Sequence, residues 1–297
     1  MNDFRLTVFL SVVKNKSFTK ASNELHISQP AISQHIKEIE RFYNVRLFER
    51  KKNTILLTRH GKIFFSYAND IHSKYQELEF EMNLTNQQDK GKLTIGASTT
   101  ISQYILPPIM AVYMNRFPEI ELSLISGNSE QIEEAVYNRE VDFGFVEGLI
   151  HKKEFNYSVL AKDELVLVTS VKNKTKNEID LEELKTLPLI LRENGSGTLA
   201  VLQNILKYHN IKLSDLNILI QLGSSESIKR FVKINNSYAI ISIAAIQDEL
   251  KENKLKIIEI KNMPIDRQFS YIILTGIRNK LAEKFFQFAC LTHKNML

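Results

Sequence analysis

The stretch that most restricts what this chain can fold into is Ala21-x-x-x-Leu25-x-x-Ser28-Gln29-Pro30-Ala31-Ile32-Ser33-x-x-Ile36-x-x-Ile39-Glu40. Leu25, Ile32, Ile36 and Ile39 recur at helical spacing and supply a shared apolar core. Ala21 is small, so two helices can cross closely there. Ser28 suits an N-cap, and Pro30 falls in the first turn that follows, where a missing N–H costs nothing. His26 and Ile27 are left as a tight connection. Residues 18–44 therefore predict a helix-turn-helix. The exposed face of its second helix carries Gln29, Ser33, Gln34 and Lys37. Glutamine hydrogen-bonds adenine bidentately, and lysine reaches guanine or phosphate. The N-terminal part of such a helix enters the major groove of DNA. A plain helical hairpin with a polar surface explains neither the capped turn nor the charge around it.

That charge is concentrated. Residues 1–62 hold 12 Lys and Arg against 5 Asp and Glu, a net +7, while the other residues hold 27 against 29, a net −2. This is the footprint of a module that meets phosphates attached to a body that does not. Around the motif, residues 3–14 are dense in apolar side chains and predict a short buried helix, and Ser17 caps a helix over 18–25. Residues 45–58 alternate like a strand pair around the basic tip Arg50, Lys51, Lys52 and Asn53, a β-wing. From Thr58 a long helix is predicted, with Phe64, Ala68, Ile71, Tyr75, Leu78 and Met82 at spacings of 4, 3, 4, 3 and 4. Such a narrow a/d seam predicts a dimer through this helix. Residues 87–91 look like a linker.

After Lys92 strands and helices alternate, predicting an α/β body with mostly parallel strands. Strands are expected at 93–97, 120–125, 142–146, 164–169, 187–191, 217–222, 238–242, 255–260 and 269–274. Helices are expected at 102–116, 129–138, from 197, at 225–234 and from 279. Ligands of such folds bind beyond the carboxyl ends of the strands, where helix N-termini collect. Ser98, Thr99 and Thr100 follow one strand, and Gly195, Ser196, Gly197 and Thr198 precede a helix. Gly127, Asn128 and Ser129, with Glu147 and Ser224, are further candidates. Each hydroxyl equally suits an ordinary helix cap.

Other chemistry finds little support. One cysteine, Cys290, excludes an intrachain disulfide framework and a multi-cysteine zinc site and fits a reducing compartment. No His-x-x-x-His or Glu-x-x-His pair suggests a metal site. Cys290 and His293 read as packing on a C-terminal helix. Gly195-x-Gly197-x-x-Ala200 is a loose dinucleotide fingerprint, lying two or three residues past its strand, so no nucleotide or other cofactor is expected. An enzyme recruited to DNA is the rival to a regulator. It would need a convergent acid–base pair, which the sequence does not display. No signal-peptide pattern and no apolar run of membrane-spanning length is present, so a cytoplasmic location and no membrane contact are expected.

The run Phe18-Thr19-x-Ala21 through Ser28-Gln29-Pro30-Ala31-Ile32-Ser33, then Leu47-Phe48-x-Arg50 and Leu57-Thr58-x-x-Gly61, resembles the N-terminal signature of LysR-type transcriptional regulators. The resemblance implies a mainly α winged helix-turn-helix (1–58), a long linker helix and hinge (59–91), and a two-lobed α/β effector domain similar to periplasmic binding proteins (92–297). Lobe one would comprise 92–161 and 268–297 and lobe two 162–267, hinging near Ala161–Asp163 and Pro264–Arg267. It further implies that Gln29, Pro30, Ser33, Gln34 and Lys37, with Thr19 and Ser28 beside them, face double-stranded promoter DNA. Arg50, Lys51 and Lys52 would meet backbone or minor groove. Family members usually form homodimers through the linker helix and often homotetramers; RNA polymerase is left open as a further partner. The segments around Ile95–Ile101, Asp142–Gly148 and Arg192–Thr198 are similar to a branch that includes regulators of carbon fixation and of cysteine and sulfur metabolism. That implies an anionic or polar metabolite as effector, without naming it. Asn235-Asn236-Ser237 departs from the glycines many members carry there, which puts the neighbouring contacts of lobe two in doubt.

Overall fold

Each of the first three helices starts where a short polar side chain can satisfy a free backbone amide. In the computed structural model, which describes residues 3–51, 54–84, 91–148 and 152–296, α1 (Phe4–Asn15) is capped by Asp3, α2 (Phe18–Leu25) by Ser17 and α3 (Gln29–Tyr43) by Ser28. The caps accept from the amides of Arg5, Lys20 and Ala31 at 3.0, 3.3 and 3.3 Å. His26 takes a left-handed conformation (φ 54°) to end α2, and Ile27 completes the tight turn. Val8, Phe9, Val12, Ala21, Ile32, Ile36 and Ile39 form the shared core, with Ala21 fully buried at the crossing.

The wing is β1 (Phe48–Lys51) paired antiparallel with β2 (Thr54–Leu57), from Phe48↔Leu57 to Lys51↔Thr54. Glu40 of α3 accepts from the amides of Leu47 (2.7 Å) and Phe48 (3.4 Å), so the wing is fixed to the helix in front of it. Thr58 then ties α4 (Arg59–Leu84) to the wing. Its hydroxyl donates to the Arg46 carbonyl at 2.6 Å and accepts from the Gly61 amide at 3.0 Å.

The predicted seam of α4 is divided in the structure. Phe64 packs edge-on against Phe9 (4.8 Å) and Tyr43 (5.7 Å), and Ala68 is buried in the core of this same unit. The first two turns are clamped to α1 and the wing, so those positions face inward rather than toward a partner. Ile63, Tyr67, Ile71, Leu78 and Met82 are exposed instead.

The described residues split into two compact units between residues 88 and 89, so α4 belongs to the first. The second contains β3 (Gly91–Ser98), a π-helical turn (Ile101–Ile105), α5 (Leu106–Arg116), β4 (Ile120–Gly127), α6 (Ser129–Tyr137), β5 (Phe143–Glu147) and β6 (Phe155–Ser170). It continues with β7 (Glu178–Ile179), α7 (Leu181–Thr186), β8 (Leu189–Arg192), α8 (Gly197–Tyr208), β9 (Ile218–Leu222), α9 (Ser225–Ile234), β10 (Tyr238–Ser242), α10 (Gln247–Lys251), β11 (Leu255–Ile260), β12 (Ile265–Leu274) and α11 (Lys280–Met296). The strand order is β4-β3-β5-β12-β6-β10-β8-β9, with β11 on β6. Parallel pairing holds on the two flanks only. In the middle, β12 is antiparallel to β5 and β6, and β6 is antiparallel to β10, where mostly parallel strands were expected.

Each flank has its own apolar core. Ile132, Val136, Val141, Val146 and Ile272 pack on one side, and Leu165, Leu191, Leu202, Ile240 and Ile258 on the other. The two flanks are the lobes, joined by β6 and β12. Ala161–Asp163 lies in β6 and Ile265–Arg267, directly after Pro264, in β12, and the two segments are paired, Arg267↔Asp163 and Asp266↔Glu164. Both strands start well before the predicted 164–169 and 269–274. Charged residues interrupt their apolar alternation, although Ile265–Phe269 still alternates buried and exposed. Asn235 sits at φ −104° and ψ 149°, and neither it, Asn236 nor Ser237 has a positive φ. This turn therefore needs no glycine.

A Cβ added at Gly61 would lie 2.1 Å from the Leu47 carbonyl oxygen. Gly61→Ala should therefore cost about 2 kcal/mol or more, because rigid backbone must move. Urea unfolding of the full chain checks this; a midpoint equal to that of the parent would contradict the packing.

Candidate functional site

The polar face predicted for α3 is the exposed one. Gln29, Pro30, Gln34 and Lys37 are exposed and Ser33 is half-buried, while Ile32, Ile36 and Ile39 point inward. Gln29 donates to the Ser33 hydroxyl (2.9 Å) and Gln34 to Glu38 (3.1 Å), so both amides are held along the helix and remain open to solvent. Thr19 is exposed on α2, and the Ser28 hydroxyl serves as the α3 cap. Arg50 and Lys51 lie on β1 opposite Ile55 and Thr54, but their side chains, and all of Lys52, fall outside the described residues.

In the second unit, polar side chains converge where strands end and helices begin. Glu147 closes β5 and is almost wholly buried. One of its oxygens accepts from Ser98 at 2.9 Å. The other accepts from Thr198 at 3.2 Å and from Nη1 of Arg267. Burial alone would push the carboxyl upward. The charges of Arg267 and Arg192, with the hydrogen bond from Ser98, outweigh it and hold Glu147 below the usual carboxylate range.

Arg267 is the centre of this cluster. Its side chain is fully buried over the Phe269 ring, at 5.3 Å. Nε donates to Asp163 at 2.6 Å, and Nη1 reaches both Glu147 and the Thr198 hydroxyl. Asp163 also accepts from Ser242 at 2.8 Å. Glu147 belongs to one lobe, Thr198 and Ser242 to the other, and Arg267 and Asp163 to the connecting strands. One guanidinium therefore ties both lobes to the ribbon between them.

The remaining candidates fall around this centre. Ser129 at the start of α6 donates to the Glu147 carbonyl (3.1 Å), and the Glu130 amide donates to the Gly195 carbonyl (3.1 Å). Gly127 ends β4. Ser196 caps α8 and Ser224 caps α9. Gly195 has φ +83°, and a Cβ at Gly197 would lie 2.2 Å from the Glu147 carbonyl oxygen. These glycines permit close contact between the lobes. The Thr99 hydroxyl is buried and has no hydrogen-bond partner among the described residues.

Residues not singled out for the site from sequence also gather here. Tyr104 of the π-turn donates to Glu226 of α9 at 2.5 Å, and buried Lys229 lies 4.9 Å from the Tyr104 ring centre while pairing with Glu226 and Glu249. Asp163 and Arg267 had appeared only as ends of expected hinges. The available signal was a charged residue at an inward position of an apolar strand. Among the described residues no cluster of His, Cys, Asp and Glu could hold a metal, and no helix is long and apolar enough to cross a membrane.

Comparison with known proteins fits both halves of this description. Residues 4–62 match the bacterial regulatory helix-turn-helix protein model of the lysR family, and residues 86–290 match the LysR substrate binding domain. The chain belongs to the LysR family. It is 29% identical to the HTH-type transcriptional regulator CysL of Bacillus subtilis over 280 residues, 93% of each chain. It is 31% identical to a probable RuBisCO transcriptional regulator of Phaeodactylum tricornutum over 287 residues, covering 95% of this chain and 94% of the relative. The regulatory domain of Synechocystis PCC6803 CcmR, solved in complex with 2-PG, matches with 27% identity and a TM-score of 0.63. That match covers 70% of this chain and 99% of the other. The chain is thus a LysR-type transcriptional regulator with an N-terminal DNA-binding domain and an effector-binding domain.

In this LysR-family effector domain the depressed Glu147 carboxyl has a pH signature. Its stabilising contribution is complete above the ordinary carboxylate value and is lost as pH falls through its lower folded-state value. Glu147→Gln should destabilise the domain by about 3 kcal/mol at pH 7, by leaving Arg267 short of one buried counter-charge. The difference from the parent should shrink in acid below pH of about 4. Denaturant unfolding at several pH values checks this, and equal stability at pH 7 would contradict it.

Proposed function

We propose that the chain reads promoter DNA as a homodimer and that a small anionic metabolite bound between its two lobes modulates that reading. The observation that carries the DNA half is the exposed row Gln29, Gln34 and Lys37 on a helix whose opposite face is fully used as core. Thr19, Ser28, Pro30 and Ser33 flank that row. Arg50, Lys51 and Lys52 supply phosphate contacts from the wing.

The dimer reading rests on α4. Ile63, Tyr67, Ile71, Leu78 and Met82 remain exposed along it, beside Phe42 and Tyr43 of α3. Together with α1 these helices border an apolar groove of about 690 Å³. A second copy laid along α4 covers this surface and fixes the separation of two α3 helices.

The effector reading rests on the convergence of helix starts, hydroxyls and buried arginines around Glu147. Ser98, Thr99, Thr100, Gly127, Ser129, Gly195, Ser196, Thr198 and Ser224 border it. The ligand acts by preferring one arrangement of the lobes, which shifts the population of DNA-binding states. We read the site as binding rather than catalysing: both oxygens of Glu147 are already engaged by Ser98, Thr198 and Arg267, so this buried carboxylate is a structural tie. The cytoplasm is the compartment where such a chain meets its promoter. The functional segments are 1–58 for DNA, 59–91 for pairing, and 92–297 for sensing.

Two substitutions separate base reading from phosphate contact. Gln34→Ala should weaken specific promoter binding by roughly 1–3 kcal/mol and leave nonspecific binding unchanged. Arg50→Ala should weaken all sequences alike and flatten the salt dependence. Fluorescence anisotropy over a salt series distinguishes them; equal losses on specific and nonspecific DNA for Gln34→Ala would refute the groove assignment.

A further inference from the structure

We propose that Arg192 is the anchor for the effector's anionic group, a role that rests on the effector reading above and gives it a specific residue and ligand class. Arg192 ends β8 at the carboxyl edge of the sheet and is only 2% exposed. Its Nε and Nη2 donate to the two oxygens of Glu193 at 2.8 and 2.9 Å, and Nη2 also lies 3.5 Å from the Gly223 carbonyl. Nη1 has no hydrogen bond among the described residues, so the guanidinium is held along one edge and keeps two N–H groups free.

Its surroundings point to a ligand. Arg192 closes β8, and its positive charge acts on the Glu147 carboxyl at the end of β5 and on the Tyr104 hydroxyl. A Cβ at Gly223, whose carbonyl lies 3.5 Å from Nη2 of Arg192, would meet nothing within 4 Å. The helix starts of α8 and α9 follow Arg192 and Gly223 closely in the chain, and their amide ends favour negative charge. The buried, unpartnered Thr99 hydroxyl is a further donor on the opposite lobe.

Arg267, the other buried arginine, is unsuited to the same task. Its one unpartnered nitrogen, Nη2, lies on a guanidinium flanked by both Asp163 and Glu147. That trio has a net charge of −1, so an anion placed there meets two carboxylates. Arg192 is hydrogen-bonded to one carboxylate, that of Glu193, whose side chain is 27% exposed and partly screened by solvent. Arg267 therefore holds the lobes, and Arg192 receives the ligand. The class that fits a single guanidinium with one free end is a small molecule bearing a carboxylate, sulfate or phosphate group. Neutral sugars and amines do not fit.

The test uses the full chain and titration calorimetry with 2-PG, sulfate and inorganic phosphate, beside ribose and putrescine as neutral and cationic probes. At least one anion should bind saturably. Arg192→Gln should weaken it tenfold or more, and Arg192→Lys less. Glu193→Gln removes the competing carboxylate and should tighten binding severalfold, a gain that misfolding cannot mimic. An anion that binds Arg192→Gln as well as the parent overturns the proposal and leaves the effector reading intact, whereas saturable binding of only ribose or putrescine overturns the proposal together with the anionic character of the effector. If no probe of any charge binds, the effector reading fails and the proposal fails with it.

Discussion

The second unit depends on one buried guanidinium. Arg267 joins Glu147 from one lobe, Thr198 from the other and Asp163 from the paired strand beside it. A charge taken this far from water costs several kcal/mol unless it is paired and hydrogen-bonded. That requirement fixes the register of β6 against β12 and the apposition of the lobes together. It also explains why Gly197 must lack a side chain: the α8 start that carries Thr198 has to reach the Glu147 backbone.

The first unit obeys the same logic in apolar form. Ala21 lets α2 and α3 cross, and Glu40 and Thr58 then lock the wing and α4 to that core. Rigid placement is what a base-reading helix needs, because hydrogen bonds to base edges tolerate little misalignment. Each unit thus presents its surface from elements fixed by a few specific contacts, with DNA and a small-molecule effector as their proposed ligands.

Much of this was legible in the sequence where local rules decide. The caps Ser17 and Ser28, the core residues Ile32, Ile36 and Ile39, and the hydroxyl-bearing segments after β3 and before α8 follow from spacing and side-chain chemistry. Three things were not. The seam on α4 was misassigned at Phe64 and Ala68, because heptad spacing cannot say whether an apolar residue faces a partner or its own core. The expected crossings at Ala161–Asp163 and Pro264–Arg267 give no sign in the sequence of being paired strand, because charged residues interrupt the apolar alternation there. The Asp163–Arg267 pair spans 104 residues, and only the antiparallel register brings it together.

A double-mutant cycle on Asp163→Asn and Arg267→Met, read by denaturant unfolding of the effector domain, tests the central role of this cluster most directly. If the guanidinium organises the domain, the two losses should be strongly non-additive, with a coupling of about 2 kcal/mol. Losses that add to within about 0.5 kcal/mol would show that the two side chains act independently and would contradict the account.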